Sequence, residues 1–348
     1  MTFDSFLLVP CPLCGARDSL LPLRITGTDL HISKYGALYG GRTLSEWKAC
    51  GRCGFVHQNP RPSGEALAQF YLNGEYHEPE LPASVADYRS FAQWYFDEKV
   101  EYAARNSGLH SGRVLEIGCG LGGALQQFAN RGWTVQGVEP DPAQARFARK
   151  QLGLAGVRQG LVDDTFNLES LVDLAFSNHA FEHFSDLDSV VRALARSVKL
   201  GGHVFTAVPT YFSNRSRLSK QWMNSAHYSL FTRHSLNQLF ARHGFEEVCH
   251  TYRGWRKEID DLWHMARFTG VPKDPAAFFE DGRTVQRYVN VINPVRSALY
   301  APLFSNYAKR VQGGAWVGRL WDSARRSPVG FVRKAFKRCA RAVFSGGR

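Results

Sequence analysis

The stretch that decides the fold reads Val114-Leu115-Glu116-Ile117-Gly118-Cys119-Gly120-Leu121-Gly122-Gly123. It begins as an apolar strand, passes through a tight glycine turn and continues as a helix. Glycine lets a backbone turn sharply and approach a ligand without a Cβ clash. The spacing of Gly118, Gly120 and Gly123 also satisfies the dinucleotide-binding pattern, which alone is a weak indication. The stretch therefore predicts a strand–turn–helix unit whose turn can bind a ligand.

Two acidic residues specify the ligand further. Glu116 lies two residues before the first glycine, and Glu139 ends the next predicted strand. A carboxylate at position 116 repels a pyrophosphate and attracts a cationic amine, which disfavours a nicotinamide dehydrogenase. Glu139 is placed to accept hydrogen bonds from a ribose diol. A ligand with a ribose and an ammonium but no phosphate fits both acids, and S-adenosylmethionine is such a ligand.

Strands and helices alternate after residue 112. Strands are predicted at 113–117, 134–138, 156–159, 172–177, 203–208 and 245–251. Helices are predicted at 122–130, 142–152, 187–198 and 234–243. This alternation indicates an α/β, Rossmann-like fold with a mostly parallel sheet and helices on both faces. No strand is placed after residue 251.

Residues 110–250 resemble the class I S-adenosylmethionine-dependent methyltransferases. The resemblance rests on four stretches, which are VLEIGCGLGG, GVEPDPAQARFAR, AFSNHAFEHFSDL and LGGHVFTAVP, at 114–123, 137–149, 175–187 and 200–209. It implies that the glycine loop holds the methionine end of the cofactor and that Glu139 holds the ribose. It also implies that Asp163 or Asp164 approaches the adenine. The implied cofactor-binding set is Glu116, Gly118, Cys119, Gly120, Gly122, Glu139, Pro140, Asp163, Asp164, Asn178 and His179. Cys119 is interpreted as a small packing residue within this loop.

A hydroxyl acceptor of a methyl group benefits from a general base, usually His, Asp or Glu. His183 is the first candidate because it follows the fourth strand, at the sheet edge where ligands bind. In similar methyltransferases a Glu-His pair is common at this place, and some members use it for catalysis or a metal. His179 and His227 are the other catalytic candidates. The alternatives are that Glu182 and His183 only shape a loop and that His227 is a packed structural residue.

Two Cys-x-x-Cys pairs near the N-terminus predict a metal site formed by Cys11, Cys14, Cys50 and Cys53. Four thiolates satisfy tetrahedral Zn²⁺, and such closed sites are structural. The alternative is four reduced cysteines without a metal. The module is also similar to sugar C-methyltransferases of deoxysugar pathways, through CxxCGFVHQNPRPS and Phe70-Tyr71. That resemblance implies a saccharide or lipid-linked saccharide acceptor, although the chain departs from that group at its C-terminus.

The net charge of +12 is concentrated at the C-terminus, since residues 291–348 contain twelve Lys and Arg and one acid. Residues 331–343 form a predicted basic amphipathic helix, which suits a membrane surface or a dock on its own domain. No signal peptide or membrane span is predicted, so the expected location is the cytoplasm, with possible peripheral contact at the inner membrane face. An rRNA or tRNA methyltransferase that binds RNA through the zinc ribbon and the tail is the second function considered. A non-catalytic S-adenosylmethionine-binding protein is the third.

The expected domain organisation follows these features. It comprises a zinc-ribbon-like module at 1–62, a helical linker or cap at 63–108, the methyltransferase domain at 109–252 and a mainly helical basic extension at 253–348. The sequence leaves the oligomeric state open.

Overall fold

The computed structural model describes residues 6–23, 46–74, 81–82, 84–210, 226–255 and 259–291. The strands are β1 (Phe6–Leu7), β2 (Leu20–Pro22), β3 (Trp47–Cys50), β4 (Val56–Gln58), β5 (Arg61–Pro62), β6 (Arg113–Ile117), β7 (Thr134–Glu139), β8 (Val157–Gln159), β9 (Val172–Asn178), β10 (Val198–Pro209), β11 (Ser229–Leu230), β12 (Phe245–Trp255) and β13 (Ile259–Phe268). The helices are α1 (Gly64–Leu72), α2 (Val85–Ser107), α3 (Gly123–Asn130), α4 (Pro142–Gln151), α5 (Leu187–Ser197), α6 (Arg233–Ala241) and α7 (Gly282–Val291). Short 3₁₀ helices span Phe181–His183 and Pro275–Phe278. Within the described ranges, none of the helices has the length and apolar character that a membrane span requires.

The central sheet has seven strands in the order β12-β13-β10-β9-β6-β7-β8. Strands β10, β9, β6, β7 and β8 are parallel, and β13 runs antiparallel to both of its neighbours. Helices α2, α3 and α4 bury one face of the sheet, with Phe128 and Phe176 in that core. Helices α5 and α6 bury the other face. The Rossmann-like fold predicted from the sequence is confirmed.

The hairpin of β12 and β13 corrects the expected boundary at residue 252, which falls inside β12. Residues 259–268 form a strand, so the prediction of a mainly helical segment is wrong there. The alternation of this strand is obscured because its buried positions include Asp261 and His264 as well as Leu262 and Met265. The basic helix predicted at 331–343 lies outside the described residues.

The N-terminal module forms a second sheet in the order β11-β4-β3-β2. Strand β11 lies in the segment that connects β10 to β12 of the central sheet. This connection therefore contributes one strand to the sheet of the N-terminal module. The helical linker or cap expected at 63–108 contains α1 and α2. Ser63 caps α1 by accepting a hydrogen bond from the Ala66 amide, as its position before the helix predicts.

Candidate active site and four-cysteine centre

The glycine loop connects β6 to α3 and requires glycine at its turning points. Gly118, Gly120 and Gly122 have φ values of 66°, 53° and 84°, in the left-handed region. The Gly118 amide donates to the Val138 carbonyl at 2.9 Å. A Cβ at Gly118 would lie 2.7 Å from the Ala180 Cβ, closer than atoms pack. The loop therefore presents bare backbone at the carboxyl edge of the sheet.

Glu116 and Glu139 lie beside this loop, and both are buried. Glu116 Oε2 accepts no hydrogen bond from the described residues, and burial holds the Glu116 pKa well above its usual value. Glu139 accepts hydrogen bonds from the Gly120 amide at 2.7 Å and the Asp141 amide at 2.9 Å. Burial raises the Glu139 pKa to about 7. Because a carboxylate offers about four acceptor positions, both acids keep capacity for a ligand's donors.

Cys119 is buried, and its Sγ would lie 2.9 Å from a Cβ at Gly137. Burial keeps the Cys119 pKa well above its usual value, so the thiol form is favoured. Both observations agree with a packing residue. The Pro140 carbonyl accepts a hydrogen bond from Gln159 Nε2 at 3.4 Å. This contact joins the ends of β7 and β8 beside Glu139.

The two aspartates predicted near the adenine differ in their surroundings. Asp164 is exposed and binds Arg192 of α5, with an oxygen–nitrogen distance of 2.6 Å. Asp163 Oδ1 accepts hydrogen bonds from the Thr165 amide at 2.8 Å and from its hydroxyl at 2.6 Å. Because Asp164 is engaged with α5, Asp163 is the better placed candidate of the two.

Strand β9 ends in an unusual conformation. His179 has a φ of 52°, in a region that non-glycine residues occupy rarely and at a cost of about 1–3 kcal/mol. Its Nε2 lies 3.0 Å from Asp261 Oδ2, and its Nδ1 lies 3.7 Å from Glu182 Oε1. Burial lowers the His179 pKa, but the Asp261 carboxylate outweighs this effect and the pKa is raised to about 9. Residues with strained backbone conformations cluster at functional sites, which makes His179 a candidate functional residue.

Lys99 and Asp261 are site residues that the sequence analysis missed. Lys99 is only 3% exposed, and its Nζ donates to Asn178 Oδ1 at 2.6 Å and lies 3.4 Å from Asp261 Oδ2. Its ammonium also lies 3.9 Å from the centre of the Tyr95 ring. Charged side chains are almost never fully buried unless they are paired. Helix α2, β9 and β13 therefore converge on a paired, buried charge cluster.

The three histidines predicted to be catalytic surround Glu182. His183 Nε2 and His227 Nε2 lie 4.0 and 3.9 Å from Glu182 Oε1, and His179 Nδ1 lies 3.7 Å from the same oxygen. Ligand-type atoms of Glu182, His183 and His227 all lie within 4.8 Å of one another. Burial raises the Glu182 pKa to about 7. The structure thus brings the predicted histidines together, and it adds a buried carboxylate between them.

The four cysteines form one cluster, as predicted. Cys11 Sγ lies 3.6 Å from Cys53 Sγ, and Cys14 Sγ lies 3.5 Å from Cys50 Sγ. Four sulfurs at about 2.3 Å from one zinc would be about 3.8 Å apart, so the set fits a tetrahedral ion.

Comparison with known proteins extends these observations. Residues 88–250 match a family model described as a methyltransferase domain. The ubiquinone biosynthesis O-methyltransferase of Pectobacterium carotovorum is 34% identical over 124 residues, which cover 34% of this chain and 49% of the relative. The ubiquinone biosynthesis O-methyltransferase of Klebsiella pneumoniae is 29% identical over 160 residues, covering 40% of this chain and 64% of the relative. The chain thus spans about half to two thirds of the length of these relatives.

A solved structure of geranyl diphosphate C-methyltransferase from Streptomyces coelicolor superposes with a TM-score of 0.44 and 16% identity, over 59% of this chain and 98% of that one. The assignment rests on the family match together with the topology, the glycine loop and its two buried acids. Residues 88–250 are therefore similar to methyltransferase domains, and the Rossmann-like sheet, the glycine loop and the two buried acids agree with that match.

Proposed function

We propose that this protein transfers a methyl group from S-adenosylmethionine to a hydroxyl oxygen of a small molecule. The observation that carries the proposal is buried Glu116, whose Oε2 accepts no hydrogen bond from the described residues and which adjoins the glycine loop. A buried polar atom without a partner is costly, and a ligand ammonium would satisfy it. The two relatives named as O-methyltransferases support oxygen as the acceptor atom.

The bound cofactor would supply an activated methyl group on sulfur, and the protein would supply alignment. Glu116 and the bare amides of the loop would hold the methionine end. Glu139 would accept the ribose hydroxyls, and Asp163 would approach the adenine. Asn178 would line the pocket at the end of β9, where Lys99 fixes its side chain.

An acceptor hydroxyl must lose its proton, and the histidine cluster is placed to take it. His183 is the candidate base, with His179 and His227 beside it around Glu182. A base of this kind typically contributes a factor of about 10²–10⁴ to the rate. The backbone strain and the Asp261 contact of His179 make it a candidate site residue, but its pKa of about 9 keeps the ring protonated near neutral pH, so it would act there as a cation and not as the base.

The four cysteines would hold a structural Zn²⁺, because their number, type and spacing fit a closed tetrahedral site. The acceptor class is proposed to be a saccharide or lipid-linked saccharide, on the resemblance carried by residues 50–63 and by Phe70-Tyr71. RNA is the competing acceptor, because the chain has a net charge of +12.

The test is a transfer assay with S-adenosylmethionine labelled in its methyl group. The acceptors are phenols, nucleotide sugars, lipid-linked saccharides and bulk tRNA and rRNA. We expect label on a small-molecule hydroxyl that is released by ether-cleaving but not by mild alkaline treatment. Label confined to RNA would replace the proposed acceptor, and cofactor binding without transfer to any acceptor would favour a non-catalytic protein.

Cofactor affinity is expected to depend on pH. Glu139 accepts the ribose hydroxyls best when it is ionised, so affinity is retained above pH 7 and lost as the pH falls through the Glu139 pKa of about 7. We expect the dissociation constant at pH 6 to be about tenfold higher than at pH 8. Calorimetric titration across this range measures the effect, and Glu139→Gln should bind more weakly with a flatter profile. A wild-type affinity that is constant from pH 6 to 8 would contradict this role.

A further inference from the structure

The N-terminal module is joined to the active site by a shared sheet. Strand β4 pairs antiparallel with β11, with Ser229 opposite His57 and Leu230 opposite Val56. The Gln58 amide extends this ladder by donating to the Tyr228 carbonyl at 2.9 Å. Strand β11 begins two residues after His227, so the module determines where that segment runs.

Gln58 also contacts His227 itself. The Gln58 side chain is fully buried, and its Nε2 donates to the His227 carbonyl at 2.6 Å. The next amide, that of Tyr228, donates to the Glu182 carbonyl at 2.7 Å. The backbone of His227 is therefore held between a module residue on one side and Glu182 on the other.

Tyr71, in the last turn of α1, contacts the second histidine. Its hydroxyl lies 2.9 Å from His183 Nδ1, and the two rings meet edge to face with centroids 6.1 Å apart. The same Nδ1 lies 3.0 Å from the Ala226 carbonyl oxygen. A hydrogen bond to one ring nitrogen fixes the tautomer and orientation of the imidazole, which leaves His183 Nε2 turned toward Glu182.

The cysteine cluster stabilises the hairpin that carries these contacts. Strands β3 and β4 pair through Ala49 and Val56, and the turn between them is the Cys50–Cys53 knuckle. Within that turn, the Cys50 amide donates to the Phe55 carbonyl and the Gly54 amide donates to the Cys50 carbonyl, both at 2.8 Å. A metal held by all four sulfurs would tie this turn to Cys11 and Cys14.

We propose that the four-cysteine module and the adjoining helix α1 take part in the active site, with Tyr71 of α1 positioning His183 and Gln58 of the module positioning His227. The inference rests on the proposed function because the two histidines act on the acceptor proton. It goes beyond that function by giving the module a role in the reaction in addition to stabilising the fold. Metal loading of the cysteines and the geometry of the histidines should then be coupled.

The test compares Tyr71→Phe with Tyr102→Phe in the full-length protein. Tyr102 is a matched control because its hydroxyl also makes a side-chain hydrogen bond, to Cys249 Sγ, in the core between α2 and β12. We expect Tyr71→Phe to shift the ring ¹⁵N resonances of His183, assigned through His183→Gln. We also expect it to lower kcat about tenfold, with acceptor KM and cofactor Kd within about twofold of wild type. Tyr102→Phe should leave all four quantities unchanged.

The second arm removes the metal with a chelator and follows the same histidine resonances. We expect the His183 and His227 signals to move while S-adenosylmethionine still binds. The inference is overturned if Tyr71→Phe leaves both the His183 resonances and kcat unchanged, or if the control variant changes them equally. If no acceptor supports turnover, the proposed function fails, and the histidine resonances of Tyr71→Phe still decide the positioning role.

Discussion

Replacing Asp261 with asparagine is expected to lower kcat about 100-fold and to change cofactor Kd by less than about twofold. Asp261 Oδ2 lies 3.0 Å from His179 Nε2, which is a shorter contact than the 3.7 Å between His179 Nδ1 and Glu182 Oε1. An asparagine amide neither stabilises the imidazolium nor selects the same tautomer, and loss of the carboxylate from a His–Asp pair is costly in other enzymes. Steady-state kinetics with the acceptor found in the labelling assay measures kcat and KM separately.

Two further variants distinguish a role of Asp261 in positioning His179 from a role in the stability of the folded protein. Asp261→Asn leaves Lys99 buried without its ion-pair partner, which typically costs about 3–5 kcal/mol. The double variant Lys99→Met/Asp261→Asn removes both charges, so we expect it to recover much of the stability but none of the lost kcat. Asp188→Asn is the matched control, because Asp188 also contacts a histidine. Asp188 Oδ1 of α5 lies 2.7 Å from Nε2 of His243, which follows α6, and the Asp188 side chain is partly exposed. If Asp261→Asn retains kcat within about twofold of wild type, Asp261 does not position His179.

Replacing Cys53 with serine is expected to remove stoichiometric zinc and to lower the melting temperature by at least about 10 °C. Structural zinc in small sites contributes roughly 10–16 kcal/mol of binding energy, and that energy stabilises the folded state. Each kcal/mol lost corresponds to roughly 2–4 °C in a protein of 150–250 residues and to less in a longer chain. Elemental analysis and calorimetric melting measure the two effects.

Cys249→Ser is the control for the cysteine substitution. Cys249 lies in β12, outside the four-cysteine cluster, and its Sγ contacts the Tyr102 hydroxyl at 3.3 Å. We expect this variant to retain full zinc content and nearly the full melting temperature. A wild-type protein purified without zinc, whose melting temperature does not respond to added zinc, would show that the cysteines have no structural metal.

The cofactor side of the site is predictable from sequence because its signals are local. The glycine turn between Gly118 and Gly122 and the acids Glu116 and Glu139 lie on adjacent strands at fixed spacing, and parallel topology brings them together. The four cysteines are also predictable, since paired thiols at Cys-x-x-Cys spacing have few other uses. Local spacing in the sequence is therefore sufficient to indicate the glycine loop with its two acids and the four-cysteine cluster.

The acceptor side depends on long-range contacts and was only partly predictable. Asp261 is 82 residues from His179, on a strand whose buried polar side chains conceal its alternation. The burial of Lys99 could be predicted from the sequence, because Lys99 shares a helical face with Tyr88, Ala92 and Ala103, which are buried. Tyr71 was indicated only through the family resemblance, since its contact with His183 arises when α1 packs against the methyltransferase domain.

In the proposed function, the glycine-loop site binds S-adenosylmethionine through Glu116. The most direct measurement is a calorimetric titration of the wild-type protein and Glu116→Ala with S-adenosylmethionine and, separately, with NADH. We predict binding of one S-adenosylmethionine per chain, weakening at least about tenfold in Glu116→Ala, and no heat from NADH beyond dilution. Binding of NADH without binding of S-adenosylmethionine would contradict the account, and so would equal affinity in the two proteins.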